Sequence, residues 1–168
     1  MVFVTVGTGL EPMMRLLMKV DELAGAGVLD DVFVQSGNNP AFRPRHCKCE
    51  SLMPLERFEA MVATAELVIC HAGAGTAIQV LRAGKQAVMM PRRKKHGEVV
   101  DDHQLELVRA LAEEGRVVPV YEAEELEPAI AEARRRAAIP SVAEPARMIA
   151  LVEAALLELG GRHAKKSS

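Results

Sequence analysis

Residues 67–76 read Leu67-Val68-Ile69-Cys70-His71-Ala72-Gly73-Ala74-Gly75-Thr76, and this stretch decides the fold. Its four leading apolar residues predict a strand buried on both faces of a parallel sheet. Small residues follow, and a helical pattern then extends to about Ala83. A buried strand that enters a glycine-rich turn and then a helix is one repeat of an α/β fold.

The same alternation of strands and helices continues in both directions from this stretch. Strands are predicted over 2–6, 32–36, 47–52, 67–70, 86–90 and 117–120, and helices over 12–24, 55–65, from the glycine turn to about 83, 101–114, 123–137 and 143–159. Such alternation implies a parallel sheet covered on both faces, that is, a Rossmann-like, doubly wound α/β domain. We assign residues 1–160 to this domain and expect residues 161–168 to be a disordered basic tail.

Length and composition exclude several classes of protein. The length of 168 residues suits one domain. The chain has a net charge of −2 and so lacks the excess of basic residues that general nucleic-acid binders carry. Aromatic residues make up 3% and tryptophan is absent, so base-stacking platforms are not expected. Three cysteines without framework spacing, and no apolar run of membrane-span length, indicate a cytoplasmic protein. One domain is also too short for an enzyme whose site lies between two domains.

Two strand ends carry small residues that suit a phosphate group. In the loop from His71 to Thr76, glycines allow a ligand to approach closely, and the following helix offers free N–H groups. The alternative is a tight turn in which Thr76 caps the helix. Gly7-Thr8-Gly9 has the same character, but it fails as a dinucleotide fingerprint because Pro12 replaces the third glycine.

A third loop brings four consecutive cations, Arg92 to Lys95, to the end of a strand. They could neutralise a diphosphate or an anionic partner surface, or the two lysines could simply be solvated. Asp102, His103 and Gln104 follow at the start of a helix. There Asp102 is either a helix cap or, with its two neighbours, part of a contact to a sugar.

Cysteines and the last helix carry weaker signals. His46, Cys47 and Cys49 lack a second ligand pair at zinc spacing, so no metal is expected, and Cys70 is expected in the core. The helix over 143–159 is apolar on more than one face. It either packs on its own sheet or docks to a membrane-bound partner.

Five motifs in order resemble the C-terminal domain of glycosyltransferase family 28. They are Val4-Thr5-Val6-Gly7-Thr8, Val34-Gln35-Ser36-Gly37, the stretch Ala65 to Thr76, Gly84-Lys85-Gln86-Ala87-Val88-Met89-Met90-Pro91 and Asp102-His103-Gln104. The resemblance spans roughly residues 2–120. The chain most resembles the free-standing members of this family, namely the PssE-type exopolysaccharide glycosyltransferase subunit and the soluble subunit of the dolichol-linked GlcNAc transferase.

The resemblance implies a set of donor-binding residues. The diphosphate is assigned to Gly7, Thr8, Gly73, Ala74, Gly75 and Thr76, the uracil to Leu52 and Met53, and the donor sugar to Asp102, His103 and Gln104 with help from Glu98. Arg92 and His71 are also counted among the donor-binding residues. Gln79 stands where the family often has an acid for the ribose hydroxyls, and an amide lacks the charge-assisted bond. His71 is a weak candidate for a catalytic base, and the interpretation that it orients its loop is preferred.

The resemblance also implies the activity. It predicts the UDP-sugar-binding subunit of a two-chain, inverting glycosyltransferase, with the GT-B C-terminal half as its fold and hexosyl, hexuronosyl or N-acetylhexosaminyl transfer as its reaction. A membrane-anchored partner would hold a lipid-linked acceptor at the inner face of the membrane, with no cofactor and no nucleic acid involved. The alternatives are a non-catalytic stabilising or regulatory subunit and another nucleotide-binding Rossmann domain.

Overall fold

The computed structural model describes residues 1–100, 102–137 and 150. In chain order the elements are β1 (Val2–Thr5), α1 (Met14–Gly25), β2 (Val32–Gln35), β3 (Lys48–Glu50), α2 (Leu55–Thr64), β4 (Leu67–His71), α3 (Ala74–Arg82), β5 (Ala87–Met90), α4 (His103–Glu113), β6 (Val117–Pro119) and α5 (Leu126–Ala137). Two single 3₁₀ turns, Lys94–His96 and Ala123–Glu125, precede α4 and α5.

All six strands run parallel in the order β3-β2-β1-β4-β5-β6. Val4 of β1 lies in register with Val34 of β2 on one side and with Ile69 of β4 on the other. The chain therefore builds outward from β1 in one direction and from β4 in the other. This order confirms the predicted doubly wound fold, and it places a topological switch point between β1 and β4.

Side chains alternate between two apolar layers because successive strand residues point to opposite faces. Val4 and Ile69 join the layer that α1 and α5 cover, whereas Phe3 and Val68 join the layer that α2, α3 and α4 cover. The predicted core position of Cys70 is confirmed, because it is fully buried in the second layer. Burial on both faces explains why these strands read as continuous apolar runs.

Several predicted boundaries were wrong at the ends of elements. Gly7 has a φ of +69°, which ends β1 at Thr5 rather than at Val6. Thr76 lies inside α3, and the N-cap residue of this helix is Gly73. No described side chain makes a cap bond to α3, so the interpretation of Thr76 as a cap was wrong. Asp102 does occupy the N-cap position of α4, but its side chain makes no cap bond to that helix within the described residues.

Some predictions lie outside the described residues. They are the basic tail over 161–168 and, apart from residue 150, the helix over 143–159. Among the helices that are described, none combines the length and the apolar character that a membrane span requires.

Candidate functional site

A cavity of about 340 Å³ opens at the switch point, beyond the carboxyl ends of β1, β2 and β4. Its lining includes seven of the residues predicted to bind a donor, namely Gly7, Thr8, Met53, His71, Gly73, Gly75 and Thr76. Gln35, Leu55 and Phe58 complete the wall. The cavity therefore has a small-residue side formed by two glycine loops and an apolar side formed by the start of α2.

The N-terminus of α3 faces this cavity. Its first turn contains no acidic residue, and its early N–H groups have no acceptor within the helix, so this end carries partial positive charge. A Cβ added to Gly75 would meet no described atom within 4 Å, and the φ of Gly75 does not require a glycine. The absence of a side chain there leaves open space above the helix end, which is a shape that suits an anion.

His71 occupies the floor of the cavity, between the two glycine loops. A Cβ at Gly73 would lie 2.2 Å from its Nε2, and a Cβ at Gly7 would lie 2.4 Å from its Cε1. Glycine is therefore needed at both positions because the imidazole fills the space that a side chain would take.

Burial controls the protonation of this histidine. His71 is 8% exposed, and within the described residues its Nδ1 has no hydrogen-bond partner. Burial and, to a smaller extent, the nearby Arg92 guanidinium lower the pKa of His71 to about 4, although the backbone of Thr5 acts in the opposite direction. The imidazole is thus neutral at pH 7 and a weak base, and its catalytic role stays a prediction.

Gln35 is a cavity residue that sequence analysis did not assign. It ends β2, is 2% exposed, and accepts a hydrogen bond from the hydroxyl of Thr5. Its amide nitrogen donates to the carbonyl oxygens of Gly7 at 3.2 Å and Ser51 at 3.0 Å. The signal in the sequence was a lone polar side chain at the end of the apolar run Val32-Phe33-Val34.

Arg92 and Glu98, both predicted to bind the donor, are buried and have partners inside the protein. The Arg92 guanidinium donates to the carbonyl oxygens of Val6 at 2.9 Å, Glu98 at 3.2 Å and Glu11. The Glu98 carboxylate accepts two bonds from Arg15, at 2.7 and 3.0 Å. Arg92 thus ties the loop after β5 to the loop after β1, and Glu98 ties it to α1, while neither residue lines the cavity.

Two further cations of the basic loop contact a carboxylate that lies just beyond the end of the neighbouring strand β6. Arg93 donates to Glu122 at 2.9 Å, and Lys95 also donates to Glu122. Neither side chain lines the cavity. Arg93 and Lys95 therefore pair with a carboxylate of the protein, and these contacts do not supply the expected neutralisation of a diphosphate by four cations.

The residues predicted to meet the donor sugar lie at the loop between β5 and α4. Gln104 accepts a bond from the backbone N–H of Arg92 at 2.9 Å, and Asp102 accepts one from the backbone N–H of Lys94 at 2.9 Å. His103 begins α4 and is half-buried. None of the three lines the cavity, so their contact with a sugar stays a prediction.

Three further predicted residues, Leu52, Gln79 and Ala74, lie near the cavity without lining it. Leu52 is exposed and lines a second cavity of about 510 Å³ beside the first, whereas Met53 lines the first one. Gln79 lies one helical turn beyond Gly75 and donates to the Glu59 carboxylate on α2 at 2.9 Å. Ala74 is the first residue of α3.

The described residues contain no group of three or more histidine, cysteine or acidic side chains placed to hold a metal ion. Cys47, Cys49 and Cys70 are free thiols.

Comparison with known proteins identifies the family. Residues 1–153 match the model of the glycosyltransferase family 28 C-terminal domain. This chain belongs to that family. The match covers most of the chain and includes every residue that lines the cavity at the switch point.

Two curated relatives are similar to about two thirds of this chain. Both are UDP-N-acetylglucosamine–N-acetylmuramyl-(pentapeptide) pyrophosphoryl-undecaprenol N-acetylglucosamine transferases. The protein from Pseudomonas entomophila is 32% identical over 113 residues, and that from Pseudomonas putida is 31% identical over 113 residues. The alignments cover 64% of this chain and 30% of each relative, so the chain spans less than a third of their length.

Solved structures confirm the fold as that of a GT-B glycosyltransferase half. The glycotransferase of kitacinnamycin superposes with a TM-score of 0.62 at 20% identity over 92% of this chain and 39% of its own. Acinetobacter baumannii MurG superposes with a TM-score of 0.55 at 22% identity over 90% of this chain and 49% of its own. At these identities the likeness concerns the fold alone.

Proposed function

We propose that this chain binds a UDP-sugar and is the donor-binding subunit of a two-chain, inverting glycosyltransferase. The observation that carries the proposal is the open space above the N-terminus of α3, at Gly75, inside a cavity at the switch point. Ligands of open α/β sheets bind at this position, and helix N-termini favour phosphate groups. Family membership adds that the domain is a glycosyltransferase domain.

The cavity has a separate place for each part of the nucleotide. The diphosphate lies against the first turn of α3, where early N–H groups have no acceptor within the helix, and against the small residues of the Gly7-Thr8 turn. The uracil packs on the apolar side, formed by Met53, Leu55 and Phe58. The donor sugar extends toward the loop after β5, where Asp102, His103 and Gln104 are predicted to bind it.

Catalysis by this chain rests on stabilisation of the leaving group. When the bond to the sugar breaks, the UDP diphosphate gains negative charge, and the helix end of α3 stabilises that charge without reorganisation. His71, neutral at pH 7, adds a polar group to the floor without a repelling or competing charge. We assign activation of the acceptor to the partner, because the described lining of the cavity contains no carboxylate and its histidine, His71, is a weak base.

The acceptor is a lipid-linked sugar held by a membrane-anchored partner. Support comes from the curated relatives, whose names specify a pyrophosphoryl-undecaprenol acceptor and of whose length this chain covers 30%. Co-expression with the partner is expected to produce transfer that the isolated chain lacks. Full transfer by the isolated chain would contradict the need for a partner.

A pair of glycine substitutions tests donor binding. Gly75→Ala places a methyl group in the open space above α3 and is expected to lower UDP affinity about tenfold or more, measured by calorimetry. The same change should keep or raise stability, since alanine is favoured over glycine in a helix by about 0.5–1 kcal/mol. Gly9→Ala is the matched control, because its Cβ would make an ordinary 3.5 Å contact with Arg92 and Gly9 does not line the cavity.

The outcomes separate the candidate functions. A folded wild-type chain that binds neither UDP nor UDP-sugars at millimolar concentration refutes donor binding and favours a stabilising or regulatory subunit. Equal affinity losses in Gly75→Ala and Gly9→Ala would move the diphosphate away from α3.

A further inference from the structure

We propose that Gln35 is a positioning residue that joins the phosphate side of the cavity to its base side. This inference rests on the proposed function, since it concerns how a nucleoside diphosphate is held. Gln35 acts through the two loops that its amide bridges, one at Gly7 and the other at Ser51.

Every hydrogen atom of the Gln35 amide is used in this bridge. The two N–H groups donate to the Gly7 and Ser51 carbonyls, and the amide oxygen accepts from Thr5. The side chain is almost fully buried, so an amide with fewer partners would leave buried polar atoms unpaired. The bridge therefore has one favourable geometry rather than several.

The phosphate-side loop depends on this geometry. Gly7 has a φ of +69°, and its N–H donates to the Thr5 hydroxyl at 3.1 Å while its carbonyl accepts from Gln35. The Gly7 oxygen would also lie 2.2 Å from a Cβ at Gly37, so it is closely surrounded. Both polar groups of Gly7 are thus held by the Thr5–Gln35 pair, which sets the direction of the loop into the cavity.

The base-side loop is held by the same side chain. The Ser51 carbonyl accepts from Gln35 and from the backbone N–H of Gly37 at 2.8 Å. Two residues later, Met53 lines the apolar side of the cavity. The distance between the Gly7 turn and Met53 is therefore set through Gln35, and a ligand that spans both sides is sensitive to it.

This arrangement predicts a ligand-dependent effect. UDP spans both loops, whereas uridine and inorganic pyrophosphate each need only one side. Loss of the bridge should lower the affinity for UDP about tenfold or more, and the affinities for uridine and pyrophosphate by less than about twofold. A merely structural role would lower the affinities for all three ligands together.

The test compares Gln35→Met with Asn39→Leu in the full chain. Asn39 is a buried amide of the same kind, which accepts from the Met13 N–H at 2.8 Å and donates to Ser36 at 2.6 Å, but it does not line the first cavity. Both variants should lose comparable thermal stability, measured as Tm. Only Gln35→Met should lose UDP affinity by calorimetry, with uridine and pyrophosphate followed by NMR titration. If Gln35→Met does not fold, Gln35→Asn replaces it, since its amide is one methylene too short to reach both carbonyls.

The results distinguish this inference from the proposed function. If the wild-type chain does not bind UDP, the proposed function fails and the inference fails with it. If the wild type binds UDP and Gln35→Met binds it equally well, or loses the same factor for all three ligands, the bridge has no positioning role and donor binding stands.

Discussion

Acidification should weaken the fold through His71. In the unfolded chain this imidazole takes up a proton below its ordinary pKa of 6.5, whereas burial in the native protein resists protonation until about pH 4. The unfolded state therefore binds more protons within this window, and stability falls as the pH is lowered through it. The gap between 6.5 and about 4 corresponds to about 3 kcal/mol, because one unit of pKa is worth about 1.4 kcal/mol. At pH 4.5 about 2.5 kcal/mol of this is already lost.

The assay uses the difference between the wild type and His71→Asn, which removes the titrating group. Urea unfolding at pH 7.5 and at pH 4.5 gives a free energy of unfolding for each protein. Carboxylates contribute equally to both proteins and cancel in the difference. We expect the advantage of the wild type to shrink by about 2.5 kcal/mol between the two pH values. In an NMR titration the Cε1–H resonance of His71 should move with a midpoint near 4.

Two results would refute this reasoning. One is a pair of parallel pH profiles for the wild type and the variant, which would mean that His71 has the same pKa folded and unfolded. The other is a midpoint near 6.5 for the His71 resonance, which would mean that solvent reaches the imidazole between the glycine loops.

Two other substitutions test the contacts around the cavity. Glu98→Gln should lower the free energy of unfolding by about 3 kcal/mol, since it leaves the nearly buried Arg15 without its carboxylate, and a urea-determined loss below about 1 kcal/mol would contradict the pairing. Gly73→Ala should cost about 1–3 kcal/mol, because its Cβ would lie 2.2 Å from the His71 ring. Combining Gly73→Ala with His71→Ala should abolish that extra cost in a double-mutant cycle, and additive losses would show that the collision is not the cause.

Local pattern was enough to predict the sheet and the place of the cavity. Runs such as Leu67-Val68-Ile69-Cys70 are apolar over their whole length because both faces of a central parallel strand are buried, and that pattern is local. Strands that alternate with helices along a chain usually form a parallel sheet, and in such a sheet the carboxyl ends of the strands meet at one edge. Gly7 and Gly73 could therefore be assigned to one site before any coordinates were known.

Partners of buried polar groups could not be predicted in this way. Arg92 follows directly from a strand and stands in a run of cations, which suggested an anionic ligand. In the structure it donates to carbonyls of Val6 and Glu11, more than eighty positions earlier in the chain. Gln35 was not assigned to the site because its role depends on hydrogen bonds to the carbonyls of Gly7 and Ser51. These two residues come near Gln35 only after β1, β2 and β3 pair.

The sequence by itself determined the fold class, the family and the two glycine loops, since these depend on apolar periodicity and on short contiguous motifs. Tertiary structure alone decided which polar side chains face the cavity and which support its wall. It placed His71 on the floor and Gln35 between the loops, while Glu98 turned to Arg15 and away from the cavity. The physical reason is that a buried hydrogen-bonding group must find a partner wherever the packed chain supplies one.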